Sequence, residues 1–473
     1  MSTTLTASLW SRLAGPERAA IIGRPEDSRL AHEFATLLQR DFVSSGCRSG
    51  EVIGTLADIR QRYGLGRWAC RETVGILEMR GWLESRRGAG GGLVLTLPTI
   101  RDLAKLTLLH LYLKGLHVDQ IIEARWTIHR ALVRKLLADG SAQRTNHANP
   151  LLPSGSLFSR WLSNQTGNRA FSFLMEFLTA LYDECVELPD TGTSACEKLL
   201  WTAIRRGDET SATATLEEFL ASTERLRAGD AVALPRVFAR DGGSSVATHS
   251  ARLAQRLLRD IAQLARSGLS DLGTEAAIGE HHQLNRDIVR RALRMLEDIG
   301  IVVPRRGRQG GLTRREPDLA VIIELLPPLL AQHDVIPAEA VDAALYLKLE
   351  AARLAAARVR TGVASGRVGA LADQLMSTMP RQPCELITME NGLLDLTENE
   401  VLAACDRGLM FYGPIFAPDM IDVAGARAGR AILNTLALTE AIRAGDVRGT
   451  EAAFMRKMLE LRTSRTGFQS THA

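Results

Sequence analysis

The chain has 473 residues, a mass of 51.6 kDa and a formal net charge of +4, and 45% of its residues are hydrophobic, 24% charged and 5% aromatic. This length and composition exclude a peptide hormone and a small disulfide scaffold, and they predict a globular, helix-rich protein of about three domains. No apolar run approaches the roughly 18 residues of a membrane-spanning helix, and the six cysteines form no CxxC pair. Residues 1–10 contain no Lys or Arg, which argues against a secretory signal. We therefore expect a cytoplasmic protein that does not enter a membrane.

The N-terminal part of the chain carries the pattern of three helices and a hairpin. Apolar spacing predicts the helices over 28–43, 56–63 and 67–79. On the third helix Cys70, Val74 and Leu77 form an inward stripe, while Arg67 and Arg71 lie four residues apart on a neighbouring face. Two short strands then flank a Gly-rich tip that carries further arginines. One face of the third helix packs and another offers guanidinium groups, as in a winged helix-turn-helix.

Long helical segments fill the rest of the first half. They are predicted at 121–138, 169–186, 196–206 and 211–227. Together they indicate an all-helical domain of roughly 130 residues, which is large enough to enclose a ligand cavity. The sequence Asp-Gly-Gly-Ser-Ser at 241–245 is typical of a linker.

The second half repeats the first. Arg286–Gly300 matches Arg67–Gly81 in both arginines, the Leu-Glu pair and the final glycine, and an Arg-Arg-Gly…Gly-Gly-Leu pattern follows in both copies. Residues 281–315 contain nine arginines against three acidic residues. Further helices are predicted at 338–360, 400–411, 426–444 and 450–463. A repeat that keeps its register over this length indicates two homologous halves.

The resulting expectation is a mainly α protein. Two winged helix-turn-helix domains, each with a small β-hairpin wing, alternate with two all-helical bundle domains. The predicted divisions are an N-terminal extension over 1–24, winged domain 1 over 25–98, helical domain 1 over 99–232, a linker over 233–248, winged domain 2 over 249–316, helical domain 2 over 317–466 and a tail over 467–473.

The repeated motifs resemble the GntR family of bacterial transcription regulators, in particular its FadR-like branch with a helical, FCD-type effector-binding domain. The family pattern is nearly complete in the second half as Arg286, Val289-Arg290-Arg-Ala-Leu293, Leu296-Glu and Gly300. Motifs of the effector domain match at 157–168 and at 203–208. The resemblance therefore implies a tandem duplication of such a regulator in one chain.

By this resemblance, the third helix of each winged domain and the adjacent wing contact DNA. The residues predicted to contact DNA are Arg67, Trp68, Arg71, Arg86, Arg87, Gly88, Asn285, Arg286, Arg290, Arg305, Arg306 and Arg308. Guanidinium groups bind guanine edges in pairs of hydrogen bonds and attract phosphates. The family's helix-opening Ser is Gly66 in the first copy and Asn285 in the second, and its second-helix Arg is Ala57 or Ala276. Because glycine caps a helix weakly, we expect the first copy to bind DNA less tightly.

Many family members bind a divalent metal in the effector domain through one Asp and three His. By position, the Asp is replaced by Gly155 or Leu386, and the three His are replaced by Ser159, Glu197 and Phe219 in the first half and by Glu390, Thr435 and Lys457 in the second. A metal of this kind needs the imidazole set, so we predict no bound metal and no other cofactor.

The family's effector-domain helix usually pairs an Arg with a Glu four residues later. These positions hold Arg125 and His129 in the first half, and Tyr346 and Glu350 in the second. Arg125 is a candidate anchor for an acidic effector, and an ordinary ion pair is the alternative. The predicted effector-binding residues are Arg125, Trp126, Trp161, Asn168 and Asn399. For each tryptophan, core packing is the alternative.

The function we expect is that of a sequence-specific transcriptional regulator, a repressor, although the sequence does not distinguish repression from activation. Its two winged helices would bind an imperfect palindromic operator in double-stranded DNA, and a small-molecule effector, with an organic acid as candidate, would modulate the affinity. One chain would form a pseudo-dimer, and a homodimer of two chains stays open. The alternative function is a non-specific structural DNA-binding protein with vestigial ligand domains. No catalytic constellation repeats between the halves, so we expect no enzyme.

Overall fold

The computed structural model describes residues 34–35, 37–39, 41–42, 49–64, 66–79, 81–86, 92–140, 152–186, 195–237, 245–305, 311–361, 392, 394–416 and 426–469. Helical residues occur between 34 and 42. The first half continues with β1 (Val52–Gly54), α1 (Leu56–Tyr63), α2 (Arg67–Met79), β2 (Leu83–Arg86), β3 (Gly92–Leu95), α3 (Ile100–Leu113), α4 (Asp119–Asp139), α5 (Gly155–Asn164), α6 (Arg169–Cys185), α7 (Cys196–Arg206) and α8 (Glu209–Ser222). The second half comprises α9 (Ser245–Arg266), β4 (Asp271–Gly273), α10 (Glu275–His282), α11 (Arg286–Asp298), β5 (Val302–Arg305), β6 (Gly311–Arg314), α12 (Ala320–Gln332), α13 (Pro337–Arg360), α14 (Glu400–Phe416), α15 (Ala426–Arg443) and α16 (Val447–Gln469). The described part of the chain is thus mainly helical with two small antiparallel sheets.

The two sheet-containing units, module 1 (residues 34–97) and module 2 (residues 245–315), have the same order of elements. In each, helical residues are followed by a strand, two short helices and two further strands. The sheets have the orders β1-β3-β2 and β4-β6-β5, and both place a register shift between the first strand and the central one. The first strand of each sheet was missed by the sequence analysis, because three residues are too few to show an alternating pattern.

Local capping explains where the short helices begin. Thr55 forms a capping box with Asp58, in which the Asp58 N–H donates to Thr55 Oγ1 at 3.3 Å and the Thr55 N–H donates to Asp58 Oδ2 at 2.7 Å. Thr274 caps α10 and Asn285 caps α11 through one hydrogen bond each, which the side-chain oxygen accepts from a backbone N–H of the first turn. At the other end of α1, Gly64 adopts a φ of 65°, which glycine tolerates best.

Each module has its own hydrophobic core. The core of module 1 contains Leu38, Ile59 and Trp82. The core of module 2 contains Leu257 and Leu296, and it extends into α3 of the first half. Helix α3 therefore has two buried faces, one packed against module 2 and the other against the remaining helices of the chain.

The helices outside the modules share a single core. Helical region 1 (residues 100–222) and helical region 2 (residues 320–469) contribute to one continuous cluster of buried side chains. The contact runs mainly between α4 and α13, and α3 also lies against α12. The sequence analysis predicted two separate helical domains, and it did not predict that their apolar faces meet.

Most predicted helices lie within two residues of the observed bounds, although α14 and α16 extend further than predicted, over Glu400–Phe416 and Val447–Gln469. The helix predicted over 28–43 lies largely outside the described residues. The helix predicted at 211–227 is α8, which ends at Ser222. Helix α9 begins at Ser245, inside the segment predicted as a linker. Helix α12 continues through Pro327 and Pro328, which remove two backbone donors but lie among buried neighbours. Among the described residues, no helix is long and apolar enough to cross a membrane.

Candidate nucleic-acid interface and ligand sites

Helix α2 of module 1 separates a buried face from a charged one. Cys70, Val74 and Leu77 are buried, as their spacing predicted. Arg67 and Arg71 are exposed. Trp68 lies in the first turn of the same helix. The helix therefore presents two guanidinium groups on the side away from the module core.

Helix α11 of module 2 has the same arrangement. The Ile288 N–H donates to Asn285 Oδ1 at 3.0 Å, so Asn285 sits at the helix N-terminus as predicted. Val289 and Leu296 are fully buried, whereas the side chains of Arg286 and Arg290 are 77% and 44% exposed. Both charged side chains thus face solvent from one end of the helix.

A carboxylate joins the two arginines of module 2. Glu275 Oε1 lies 3.1 Å from Arg286 Nε and 3.5 Å from Arg290 Nε. Glu275 is the first residue of α10, and its side chain is about one-third exposed. The sequence analysis missed this residue, because a contact between two different helices leaves no periodic signal.

The last residue before each hairpin tip, Arg86 or Arg305, belongs to an exposed charge pair. Arg86 Nη2 lies 3.5 Å from Glu84 Oε2 in module 1, and Arg305 Nη2 lies 3.8 Å from Asp271 Oδ2 in module 2. Pairs this exposed contribute little to stability, so both arginines can exchange partners. The other predicted tip residues lie outside the described part of the chain; they are Arg87, Gly88, Arg306 and Arg308.

The modules meet through their arginine-bearing helices. Helices α2 and α11 approach until Cα atoms lie within 8 Å of each other. The four arginines described above are therefore carried by two adjacent helices and not by opposite ends of the molecule.

In helical region 1, Arg125 is committed to internal contacts. Its guanidinium donates to Thr223 Oγ1, to the Leu220 carbonyl at 3.3 Å and to Glu224 Oε2 at 3.1 Å. The Tyr182 hydroxyl donates to the same Glu224 oxygen at 3.0 Å. The cavity beside Arg125 has a volume of about 30 Å³, which is enough for ordered water only. The structure thus places the predicted effector anchor in an ion pair, which was the alternative interpretation.

The residues that the resemblance placed at metal-ligand positions make other contacts. His129 Nε2 and Ser159 Oγ share a hydrogen bond of 2.9 Å, and the Gly155 N–H donates to Glu197 Oε1 at 3.2 Å. Burial, together with the charge of Arg125, lowers the pKa of His129 to about 3, so its imidazole is neutral. Phe219 packs edge-on against Phe158. Within the described ranges, no group of three or more His, Cys, Asp and Glu side chains is arranged to hold a metal ion.

The two predicted effector tryptophans belong to packed surroundings. Trp161 stacks on Phe158 with a centroid distance of 5.8 Å and meets Trp201 edge-on at 4.8 Å. Trp126 is partly buried against the core and lies 5.6 Å from the guanidinium of Arg130. Neither tryptophan lines the cavity beside Arg125.

Asn168 and Asn399 occupy equivalent positions between the two helical regions. Asn168 Nδ2 donates to the Glu339 carbonyl at 3.0 Å and to Asp342 Oδ2 at 3.1 Å. Asn399 Nδ2 donates to the Gln120 carbonyl at 3.0 Å and to Glu123 Oε2 at 2.8 Å. Each Oδ1 atom accepts a hydrogen bond from the first turn of the helix that follows its own residue. These asparagines therefore join the halves, and the structure does not bring them to the cavity at Arg125.

These contacts correct the correspondence between the halves. Because Gln120 and Glu123 play the part of Glu339 and Asp342, α13 aligns with α4 so that His129 corresponds to Lys348. The sequence-based pairing of Arg125 with Tyr346 and of His129 with Glu350 was displaced by two residues. Glu350 instead accepts a hydrogen bond from Arg134 of the other half at 2.6 Å.

A larger cleft lies next to the Arg125 cavity. Its volume is about 500 Å³, and it is bounded by the segment that joins module 1 to α3, by α5 and α6, and by the end of α12. Its charged lining comprises Arg101, Arg160, Glu176, Asp183 and His333. Arg160 Nη2 lies 3.2 Å from Glu176 Oε2, and both side chains are more than one-third exposed. This space is large enough for a small molecule.

Comparison with known proteins adds no relative from which a role can be transferred. No family model matches the chain, and no curated protein or solved structure is similar to it.

Proposed function

We propose that the protein is a sequence-specific DNA-binding transcriptional regulator, a repressor in the simplest form, in which modules 1 and 2 are winged helix-turn-helix domains. The observation that carries the proposal is the repeated unit of two short helices and a three-stranded sheet. In each copy, the second helix buries one face and exposes two arginines on another. An exposed arginine pair on one helix is ordinary, but its recurrence on the same helix of two equivalent modules is typical of nucleic-acid recognition.

The chemistry follows from the arginine side chain. A guanidinium fork donates two hydrogen bonds to the O6 and N7 atoms of guanine in the major groove, and it also attracts phosphates. Arg86 and Arg305, at the ends of the hairpin strands, are suited to contact the backbone beside the groove. On this proposal the helices provide sequence specificity, and the hairpins fix the position of the modules on the DNA backbone.

Both modules would bind one operator. Helices α2 and α11 are each about 20 Å long and touch each other, so their N-terminal ends lie at most about 50 Å apart. This limit allows half-sites separated by about one turn of DNA or less and excludes a separation of two turns. The two helices differ in sequence at positions 68–69 and 287–288, so the preferred operator is an imperfect palindrome.

Selection from randomised double-stranded DNA tests this proposal. We expect recovery of one short, imperfect palindrome whose half-sites are no more than one turn apart. Recovery of a perfect palindrome would contradict the prediction that the two modules prefer different half-site sequences. Binding without any selected sequence would favour the alternative of a non-specific structural DNA-binding protein.

We propose further that the effector of this regulator binds in the 500 Å³ cleft and not beside Arg125. The cleft borders residues 98–101, where the connection from module 1 enters α3, so a bound molecule would act on the position of a DNA-binding module. Its lining carries guanidinium groups and carboxylates in equal number, with His333 beside them. An organic acid that also carries an ammonium group matches both charges.

Thermal melting with a panel of free L-amino acids, and with their N-acetyl and amide derivatives, tests the effector site. We expect at least one free amino acid to raise the melting temperature, with loss of the effect in its two derivatives and in Arg160→Ala. The matched control is Arg130→Ala, a partly exposed arginine that is likewise paired with a glutamate and lies outside the cleft. A melting temperature that no amino acid changes would contradict this site.

A further inference from the structure

The contact of Glu275 with two arginines of module 2 leads to an inference about specificity, which rests on the proposed DNA-binding function. One carboxylate oxygen accepts a hydrogen bond from Arg286 Nε at 3.1 Å and lies 3.5 Å from Arg290 Nε in an ion pair; both arginines are on the helix next to its own. Glu275 stands at the first position of α10, where the helix dipole favours a negative charge. The carboxylate is therefore stabilised in place before any DNA arrives.

The nitrogen atom that contacts Glu275 determines which hydrogen-bond donors of each arginine stay available for DNA. A guanidinium carries five N–H donors, and Nε contributes one of them. In both arginines Nε is the nitrogen that contacts Glu275, so the two terminal nitrogens of each can still donate to DNA. Those terminal nitrogens form the pair of parallel hydrogen bonds that distinguishes guanine from the other bases.

A carboxylate at this place also repels phosphate. The nearest oxygen of Glu275 lies within 3.5 Å of both guanidinium groups, so a backbone phosphate approaching the same groups meets a negative charge. A guanine edge carries no net charge, so the same carboxylate repels it less than it repels a phosphate. The carboxylate therefore weakens binding to phosphate, which every DNA sequence contains, more than it weakens binding to a guanine of the preferred sequence.

We propose that Glu275 is a positioning residue that makes module 2 the more sequence-selective of the two modules. It holds Arg286 and Arg290 side by side with their base-reading ends free, and it lowers their attraction for phosphate.

Module 1 has no carboxylate at the position equivalent to Glu275. Its equivalent position, the first residue of α1 after the capping threonine, is Leu56, which is partly buried against the module core. Arg67 and Arg71 thus have no carboxylate at the place where module 2 has one. The consequence is that module 2 contributes more of the sequence selectivity, whereas a larger share of the affinity of module 1 comes from salt-dependent attraction to phosphate.

The test compares Glu275→Gln with Glu280→Gln in the full-length chain. Glu280 is an exposed residue of the same helix, so its substitution changes the net charge equally but leaves the arginines untouched. Affinities for the selected operator and for a scrambled duplex are measured over a series of salt concentrations, and thermal melting monitors folding.

We expect Glu275→Gln to bind the scrambled duplex more tightly, to show a steeper salt dependence, and to lose about tenfold in the ratio of operator to scrambled affinity. Glu280→Gln should keep the wild-type ratio. Equal ratios in the two variants would overturn the role of Glu275 while leaving the proposed function intact. A wild-type protein without any operator preference would instead remove the proposed function itself.

Discussion

At the residue scale, Asn168 and Asn399 show how one side chain can serve two purposes. The oxygen of each amide caps a helix within its own half, and the nitrogen donates across to the other half. The sequence motif identified both residues as special, since the same short pattern occurs twice. It could not identify their partners, because these lie more than 170 residues away in the chain. The motif was therefore assigned to an effector site, whereas the contacts are those of an interface.

Substitution of these asparagines by aspartate separates the two roles. In Asn168→Asp the oxygen that caps α6 is kept, but the donor is replaced by a second carboxylate oxygen that faces the Glu339 carbonyl and Asp342. We expect a loss of about 2 kcal/mol or more in the free energy of unfolding, and a similar loss for Asn399→Asp.

Urea unfolding at neutral pH measures these losses. The matched control is Asn164→Asp, an exposed asparagine of α5 whose substitution should change stability by no more than about 0.5 kcal/mol. Equal effects at positions 164 and 168 would show that the contacts between the halves contribute nothing.

At the element scale, helix α3 is the piece that links the parts of the molecule. Leu103 and Leu108 face the core shared by the helical regions, while Leu109 and Leu113 belong to the core of module 2. The sequence analysis did not predict this helix, since apolar residues on both faces obscure the single stripe by which amphipathic helices are recognised. Helix α2 buries only one face, so its single apolar stripe is visible in the sequence, and both of its ends were predicted correctly.

The far end of α3 is fixed to α14 by Glu400. This carboxylate lies 2.5 Å from Lys114 Nζ and 3.3 Å from His110 Nε2. Burial acts to raise the pKa of Glu400, but the hydrogen bonds and charges of His110 and Lys114 outweigh it and lower the pKa to about 2. A carboxyl group with a lowered pKa in the folded state stabilises the fold above its ordinary pKa, near 4.5, and loses that contribution as the pH falls towards 2.

Glu400→Gln should therefore be less stable than the wild type by at most about 3 kcal/mol at neutral pH, with the difference shrinking between pH 4.5 and pH 2. Unfolding free energies measured across this range provide the comparison. Glu218→Gln, at an exposed position of α8, should show no such pH dependence. A difference between wild type and Glu400→Gln that is the same at pH 3 and pH 7 would refute the ion pair.

At the scale of the whole molecule, the chain resembles two subunits that have been joined. The helical regions share one core, and the paired asparagines relate them by equivalent contacts. A further group of charges crosses the same interface, where Arg134 of one half reaches Glu350 and Glu451 of the other at 2.6 Å each. The repeat in the sequence predicted two equivalent halves, but their mutual packing depends on apolar faces whose partners no local pattern specifies.

Because these faces are already covered within one chain, we expect the protein to be a monomer in solution and to bind one operator per chain. Sedimentation equilibrium should give a mass of 51.6 kDa for the free protein, and titration should give one chain per duplex. A mass twice as large at micromolar concentration would instead show that equivalent halves pair between chains.

The proposed function rests on the claim that the exposed arginines of α2 and α11 together recognise one operator. The affinity of the double variant Arg71→Ala/Arg290→Ala for the selected operator and for a scrambled duplex, measured across a salt series, tests it. A control that loses the same charge is Arg206→Ala/Arg448→Ala, at two exposed positions of the helical regions. We predict that the first variant loses about 100-fold in operator affinity and most of its sequence preference, whereas the control keeps its preference. Equal losses in the two variants, with sequence preference retained, would contradict the claim.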